Sequence, residues 1–376
     1  MDFVEISTQK DLEAFLKKAS LAPRYAIDTE FHRESTYYPD LALIQMRILG
    51  PTPISALIDP KGLDLSPFSG LFSSESLALL HAPLQDFEIF DNEVGCIPEN
   101  FFDTQLAAGF LGFSSPSLAS LVNHCVGISI SKSDRMTDWN RRPLTQAQKA
   151  YALSDVAYLD KIADFLQKDL ESLGRLPWVL EAFEEMQSSR KKPIEPQDAW
   201  RSISESRSLR PDQKGALREL AAFRELRAQS LNIPPRRVFG DIILVCIAQS
   251  LPTNLDELLA VRGFRSSKPE INSALLECVK KGRTHVFPTP PTRPPSADPR
   301  AVSLVSAWVA DLAAKERLDK ALLATRDDVE NLLSGSFSRL STGWRADLLK
   351  DVPTKLATGE LGLALTPGKG YRLVKA

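Results

Sequence analysis

The chain has 376 residues, a hydrophobic content of 43% and a formal net charge of −2, enough for two or three domains with cores of their own. No apolar run reaches the roughly 18 residues of a membrane-spanning helix, and the start, Met1-Asp-Phe-Val-Glu-Ile-Ser-Thr-Gln-Lys10, lacks the basic and apolar regions of a signal peptide. The four cysteines, Cys96, Cys125, Cys246 and Cys278, are far apart and form no CxxC pair, so a reduced cytoplasmic protein without a zinc-finger site is expected.

In chain order, the first half alternates short apolar runs with helical patterns. Tyr25–Asp28, Ala42–Ile48, Ile54–Ile58 and Leu77–Leu80 are predicted strands, each bounded by Pro, Gly or Asp. Asp11–Ala19, Pro83–Asn92, Thr104–Gly112 and Leu144–Leu173 are predicted helices, some opened by Asp, Thr or Pro. Strands interleaved with helices imply an α/β layer architecture. The stretch Ser188-Ser-Arg-Lys-Lys-Pro-Ile-Glu-Pro196 is polar, basic and twice interrupted by proline, and reads as a linker. Strand signal is then lost. Asp212–Leu231, Asp241–Gln249 and Asn254–Val261 are predicted helices, with Pro234-Pro235 opening a new element between the first two. Phe287-Pro-Thr-Pro-Pro-Thr-Arg-Pro-Pro295 is predicted to be an extended connector. Residues 299–365 are again helical in pattern, punctuated by Gly335 and Gly343, and Tyr371-Arg-Leu-Val374 can close as a strand. Three units are expected: an α/β domain over 1–190 and helical modules over 205–286 and 297–376.

The near-neutral total conceals a division. Residues 1–189 hold 15 Lys and Arg against 27 Asp and Glu, while residues 190–376 hold 31 against 21. An acidic half suits cations and a basic half suits a polyanion, although either pattern also describes a solvated face.

Three stretches of the acidic half carry the chemistry. Tyr25-Ala-Ile-Asp28-Thr-Glu30-Phe31 is an apolar run broken by two acids, which a strand would project from one face. Leu77-Ala-Leu-Leu-His81-Ala-Pro-Leu-Gln85-Asp86 is a strand-like run that ends in an acid at a helix start. Tyr151-Ala-Leu-Ser-Asp155 places a phenol and an acid one helical turn apart. Buried acids are rare unless paired or bound to metal. Four converging carboxylates call for cations, and oxygen-only ligands favour Mg²⁺ or Mn²⁺ over zinc. Two such ions form the standard clamp for phosphodiester hydrolysis. Tyr151 is placed to orient the attacking water, since a tyrosine with an ordinary pKa of about 10 is a poor base at neutral pH.

These residues, in this order, resemble the three exonuclease motifs of the DEDD superfamily, tyrosine subclass, and their surroundings resemble ribonuclease D. Asp28-Thr-Glu-Phe-His-Arg-Glu-Ser-Thr-Tyr37-Tyr38-Pro39 with Leu43-Ile44-Gln45 is similar to the first motif. His81-Ala-Pro-Leu-Gln85-Asp86-Phe-Glu88 is similar to the second, and Asp138-Trp139-x2-Arg142-Pro143-Leu144 leading into Tyr151-x3-Asp155 to the third. The helical remainder resembles paired HRDC modules (helicase and RNase D C-terminal). The first is carried by Ala222–Arg227, Ile233-Pro-Pro-Arg-Arg-Val238 and Leu258–Phe264, the second by Gly343-Trp-Arg345-x2-Leu348. The resemblance implies an RNase H-like mixed sheet flanked by helices, followed by two all-α HRDC modules. It implies a 3'-5' exoribonuclease that releases 5'-mononucleotides by a two-metal-ion mechanism. Asp28, Glu30, Asp86 and Asp155 would be the metal ligands, with Tyr151 completing the catalytic set. It also implies RNA as partner, such as tRNA precursors with a short 3' tail; a monomer, with no membrane association, is expected. A DNA exonuclease and a non-catalytic RNA-binding protein of the same fold are the alternatives.

Around these residues, Thr29, Phe31 and Gln85 flank the acids and are candidate nucleic-acid contacts, though Phe31 equally suits core packing. His81 suits a nucleotide contact or a strand-end histidine held by backbone. Trp139 and Arg142 suit a stacking surface with a phosphate clamp, or a core tryptophan with an Arg–Asp pair. Arg236 and Arg237, with Lys280, Lys281 and Arg283, are candidate phosphate contacts or a solvated basic face.

Overall fold

The computed structural model describes residues 2–130, 137–188, 194–265, 268–285, 296–368 and 370–375. Part of the predicted linker and the whole proline-rich connector lie outside these residues. The chain gathers into two compact units, one comprising Met1–Glu30, Ala42–Arg190 and Thr292–Ala376, the other Phe31–Leu41 and Lys191–Pro291.

The first unit is built on a six-stranded sheet. Its elements in chain order are β1 (Phe3–Ile6), α1 (Gln9–Ser20), β2 (Arg24–His32), β3 (Asp40–Leu49), β4 (Ile54–Ile58), α2 (Phe68–Phe72), β5 (Leu77–Leu80), α3 (Leu84–Glu93), β6 (Phe101–Asp103), α4 (Thr104–Gly109), α5 (Leu118–Val126), α6 (Gln146–Ala157), α7 (Leu159–Ser172) and α8 (Leu176–Ser188). The strand order is β1-β4-β3-β2-β5-β6. β1 and β4, β2 and β5, and β5 and β6 pair in parallel, while β3 and β4 are antiparallel. β3, an interior strand, is buried along nearly its whole length, as expected for a strand covered on both faces. The mixed sheet flanked by helices is the α/β layer expected. The edge strands β1 and β6 are four and three residues long, too short for an alternation to register in the sequence. The long helix expected over Leu144–Leu173 is two helices, because Tyr158, at φ −122° and ψ 2°, ends α6 and begins α7.

In the second unit, 3₁₀ turns at Pro196–Ser202 and Ser204–Ser208 lead into α9 (Pro211–Leu231), α10 (Pro235–Val238), α11 (Asp241–Ser250), α12 (Leu255–Leu259) and α13 (Pro269–Arg283). Leu217, Leu220, Leu244, Ile247, Leu258, Leu275 and Val279 centre its core. α9 and α13 cross at Gly215 and Gly282, where a Cβ on either residue would run into the backbone of the other helix.

The C-terminal segment belongs to the first unit. It comprises α14 (Pro299–Glu316), α15 (Lys320–Leu323), α16 (Arg326–Leu333), α17 (Gly343–Leu349), α18 (Val352–Thr358) and a hairpin of β7 (Leu361–Thr366) and β8 (Gly370–Lys375). β7 lies in a stretch with a helical pattern by sequence. Gly359, at φ 80°, ends α18, and the apolar residues after it alternate at period two, Leu361, Leu363 and Leu365. Trp178 of α8 stacks on Trp344 with ring centres 5.2 Å apart. Arg345, 1% exposed, donates to Glu185 Oε1 at 2.6 Å. Gly343-Trp-Arg345, which marks the second helical module in the sequence, is therefore core between that module and α8.

Candidate active site

β2 carries the first two acids. Asp28 and Glu30 share one face and are half-buried, between the buried Ile27 and Thr29. β5 ends in a tight turn at Ala82, which takes a left-handed φ of 56°. The Ala82 N–H donates to Asp103 Oδ1 at 2.9 Å, and the same oxygen caps α4 by accepting from the Gln105 N–H at 2.8 Å. That turn feeds α3, whose first turn presents Asp86. α6 opens with a capping box of Thr145 and Gln148 and sets Tyr151 and Asp155 on one face, one turn apart.

Asp28, Glu30 and Asp155 come together, with one carboxylate oxygen of each within 4.8 Å of the others. Two strand positions and a helix position more than a hundred residues later thus meet in one place. Asp86 is buried and lies outside this trio. Its Oδ1 accepts from the Thr29 hydroxyl at 2.5 Å, yet it is close enough that its charge helps raise the Asp28 carboxyl. Gln45 of β3, fully buried, donates its Nε2 to Asp28 Oδ2 at 2.5 Å. Motif reading quoted Gln45 in the first motif without giving it a role, and its signal was an uncharged polar residue in the otherwise mostly apolar run Leu41–Leu49.

The electrostatics follow from crowding. Burial first, and then the charges of Asp86, Asp155 and Glu30, hold the Asp28 carboxyl well above the usual carboxylate range, against the Gln45 hydrogen bond. Burial pushes Asp86 up to about 6, against hydrogen bonds from Thr29 and backbone amides. A cluster of half-buried carboxylate oxygens whose negative charges oppose one another fits a hard divalent cation, which would reverse the penalty.

The other residues singled out by sequence fall into separate groups. Phe31 is half-buried and Gln85 exposed. His81 hydrogen-bonds Thr104 Oγ1 through Nδ1 at 3.0 Å, and burial lowers its pKa to about 4, so it is neutral at physiological pH. Trp139 is 3% exposed. The Arg142 guanidinium donates to Asp59 at 2.5 and 3.0 Å and to the carbonyls of Trp139 and Ala42, each at 2.7 Å. The geometry of these two is thus that of a core tryptophan and an Arg–Asp pair. Arg236 pairs with Asp241 at 3.1 Å while its side chain stays 82% exposed, and Arg237 is exposed. Lys281 pairs with Glu219 at 2.7 Å and Lys280 with Glu277 at 3.6 Å.

A family model described as 3'-5' exonuclease matches residues 3–171, and one described as HRDC domain matches residues 213–278. Ribonuclease D of Acidiphilium cryptum (strain JF-5) is 34% identical to this chain over 374 residues, covering 96% of this chain and 94% of its own. Ribonuclease D of Escherichia coli (strain K12) is 32% identical, over 93% of this chain and 97% of its own. The chain belongs to the ribonuclease D family. The crystal structure of the Escherichia coli RNase D, described as an exoribonuclease involved in structured RNA processing, matches with a TM-score of 0.84 at 32% identity, covering 95% of this chain and 99% of that one. As a ribonuclease D, the protein is a 3'-5' exoribonuclease whose fold is divalent-metal dependent, and RNA is its partner. The exonuclease resemblance and that of the first HRDC module hold, and the converging acids sit in the matched exonuclease region.

Proposed function

We propose that this exoribonuclease trims structured RNA with a short 3' tail, tRNA precursors among them, releasing 5'-mononucleotides with the help of two divalent cations, Mg²⁺ or Mn²⁺. The observation that carries the reading is the convergence of Asp28, Glu30 and Asp155. These three would hold the cations, with Asp86 as the fourth acid of the set. Bound there, divalent cations supply Lewis-acid activation of water and neutralise charge at the scissile phosphate.

The chain's own residues do the rest. Gln45 fixes one Asp28 oxygen and leaves the other for ligation. Thr29 fixes Asp86 in the same way. Tyr151, one turn before Asp155, orients the attacking water through its hydroxyl. Phe31 and Gln85 remain proposed contacts along the RNA. Thr29, His81, Trp139 and Arg142 would act mainly by shaping the wall of the site, since they are buried or their polar atoms are already engaged. Arg236 and Arg237 would meet phosphates on the first helical module. The protein is proposed to act as a cytoplasmic monomer; among the described residues no helix is long and apolar enough to cross a membrane.

The deciding experiment incubates the purified full chain with a hairpin RNA bearing a short 3' tail, with Mg²⁺ and with EDTA, beside a matched DNA strand. Shortening of the RNA from its 3' end, with Mg²⁺ alone, is expected. Binding without shortening would sink the reading, and faster shortening of the DNA would move the substrate assignment to DNA.

A further inference from the structure

The segment Phe31–Leu41, which spans the end of β2, the β2–β3 connection and the start of β3, groups with the helical second unit. The end of α9 receives it. Glu225 and Gln229, one turn apart on α9, both bond the Tyr37 phenol: the hydroxyl donates to Glu225 Oε1 at 2.6 Å and accepts from Gln229 Nε2 at 3.0 Å. Asn232, which ends α9 in the left-handed conformation at φ 48°, turns its Oδ1 to the backbone N–H groups of Tyr37 and Tyr38, each at 3.1 Å. Glu225 is 5% exposed, so this is a built receptor rather than a surface pair. Burial and Glu225 push the Tyr37 phenol up to about 12, so it stays a donor at physiological pH.

The receptor leaves one aromatic ring outside. Tyr38 is 39% exposed and is held edge-on against Tyr37, with ring centres 4.8 Å apart at 73°. An exposed aromatic on a pinned backbone is the chemistry that stacks nucleobases, which every base offers irrespective of sequence.

We propose that the first helical module acts in the exonuclease reaction as a positioning element: Glu225, Gln229 and Asn232 hold the β2–β3 connection so that Tyr38 stacks on a nucleobase of the RNA. Glu225, Gln229 and Asn232 are positioning residues that act through Tyr37 and Tyr38. This proposal rests on the exoribonuclease reading. It means that the module contributes even on a short single-stranded RNA.

The test uses the full chain with Mg²⁺ on a short single-stranded RNA. Asn232→Gly keeps the left-handed backbone and removes the acceptor, whereas Asn232→Asp keeps both. Asn232→Gly should raise KM about tenfold, of the order of one lost base stack, with kcat within about threefold. Amide exchange at Tyr37 and Tyr38 should speed up in the same variant, and Asn232→Asp should restore wild-type values. Tyr38→Ala should raise KM equally, Tyr38→Phe should not, and the Tyr38→Ala/Asn232→Gly pair should show no further rise. If Asn232→Gly does not fold, Tyr37→Phe, which removes the hydroxyl alone, carries the same comparison. An unchanged KM with faster exchange, an additive pair, or equal damage from Asn232→Asp would overturn the proposal. A wild-type chain inactive on this RNA would instead overturn the exoribonuclease reading.

Discussion

At the scale of the residue, the proposed chemistry rests on three carboxylates held close together, at a cost that bound cations would offset. Asp155→Asn or Asp28→Asn removes one charged ligand and the transition-state stabilisation that depends on it. A loss of at least about 10³-fold in kcat is expected, with RNA affinity nearly unchanged; a variant retaining a tenth of the rate would remove that residue from the set. Tyr151→Phe keeps the ring, whose centre lies 6.0 Å from that of Trp139, and loses the hydroxyl. Its rate should fall by about 10²–10⁴-fold while the melting temperature holds, and full activity would make Tyr151 a packing residue. Asp103 gives a prediction about pH. Burial pushes its carboxyl up to about 6 in the fold, against backbone amides. A raised folded pKa means that the protonated form favours folding, so its contribution is complete below about pH 4 and is lost as pH rises through 6. In EDTA, the stability of wild type relative to Asp103→Asn should therefore fall between pH 4 and 7, by an amount on the order of 2–3 kcal/mol. A pH-independent difference in unfolding free energy would contradict it.

At the scale of the element, local rules and close approaches decide. The face-sharing of Asp28 with Glu30, and of Tyr151 with Asp155, follows from periods of two and 3.6, and both were legible in the sequence. The crossing of α9 and α13 was not. It needs two glycines, Gly215 and Gly282, that are 67 positions apart and meet backbone to backbone. Gly215→Ala forces the helices apart and should destabilise the second unit by about 3 kcal/mol. Hydrogen exchange would report this as lost protection across α9 and α13, with the strands of the sheet unaffected. Uniform protection in the variant would show that the crossing can open without penalty. Likewise, one helical pattern over Leu144–Leu173 hides the break at Tyr158, because both sides keep helical periodicity and the change of direction comes from packing.

At the scale of the whole molecule, the charge division bears on how RNA is found. Residues 190–376 hold the excess of Lys and Arg, and several of those cations, Lys281 and Arg345 among them, are already paired within the fold. The remaining ones should steer RNA at long range. KM for a long tailed hairpin should then rise on the order of tenfold between about 50 and about 200 mM salt, more steeply than KM for a short oligonucleotide. Equal salt slopes for the two substrates would mean that these cations are solvated surface.

The sequence by itself determined the motif acids, their faces, the α/β layer and the family, because each depends on local periodicity or on residue types at near spacing. The tertiary structure alone decided which polar groups meet across long separations. Asp86 turns to Thr29 and stays outside the trio, Gln45 steadies Asp28 from the neighbouring strand, and Trp344 with Arg345 joins the C-terminal segment to α8. Tyr37 docks on the end of α9, so a loop that continues the catalytic strand is held by a module nearly two hundred residues away. Such partners are selected by shape and by the need to satisfy buried polar groups, and that selection operates only once the chain has brought them together.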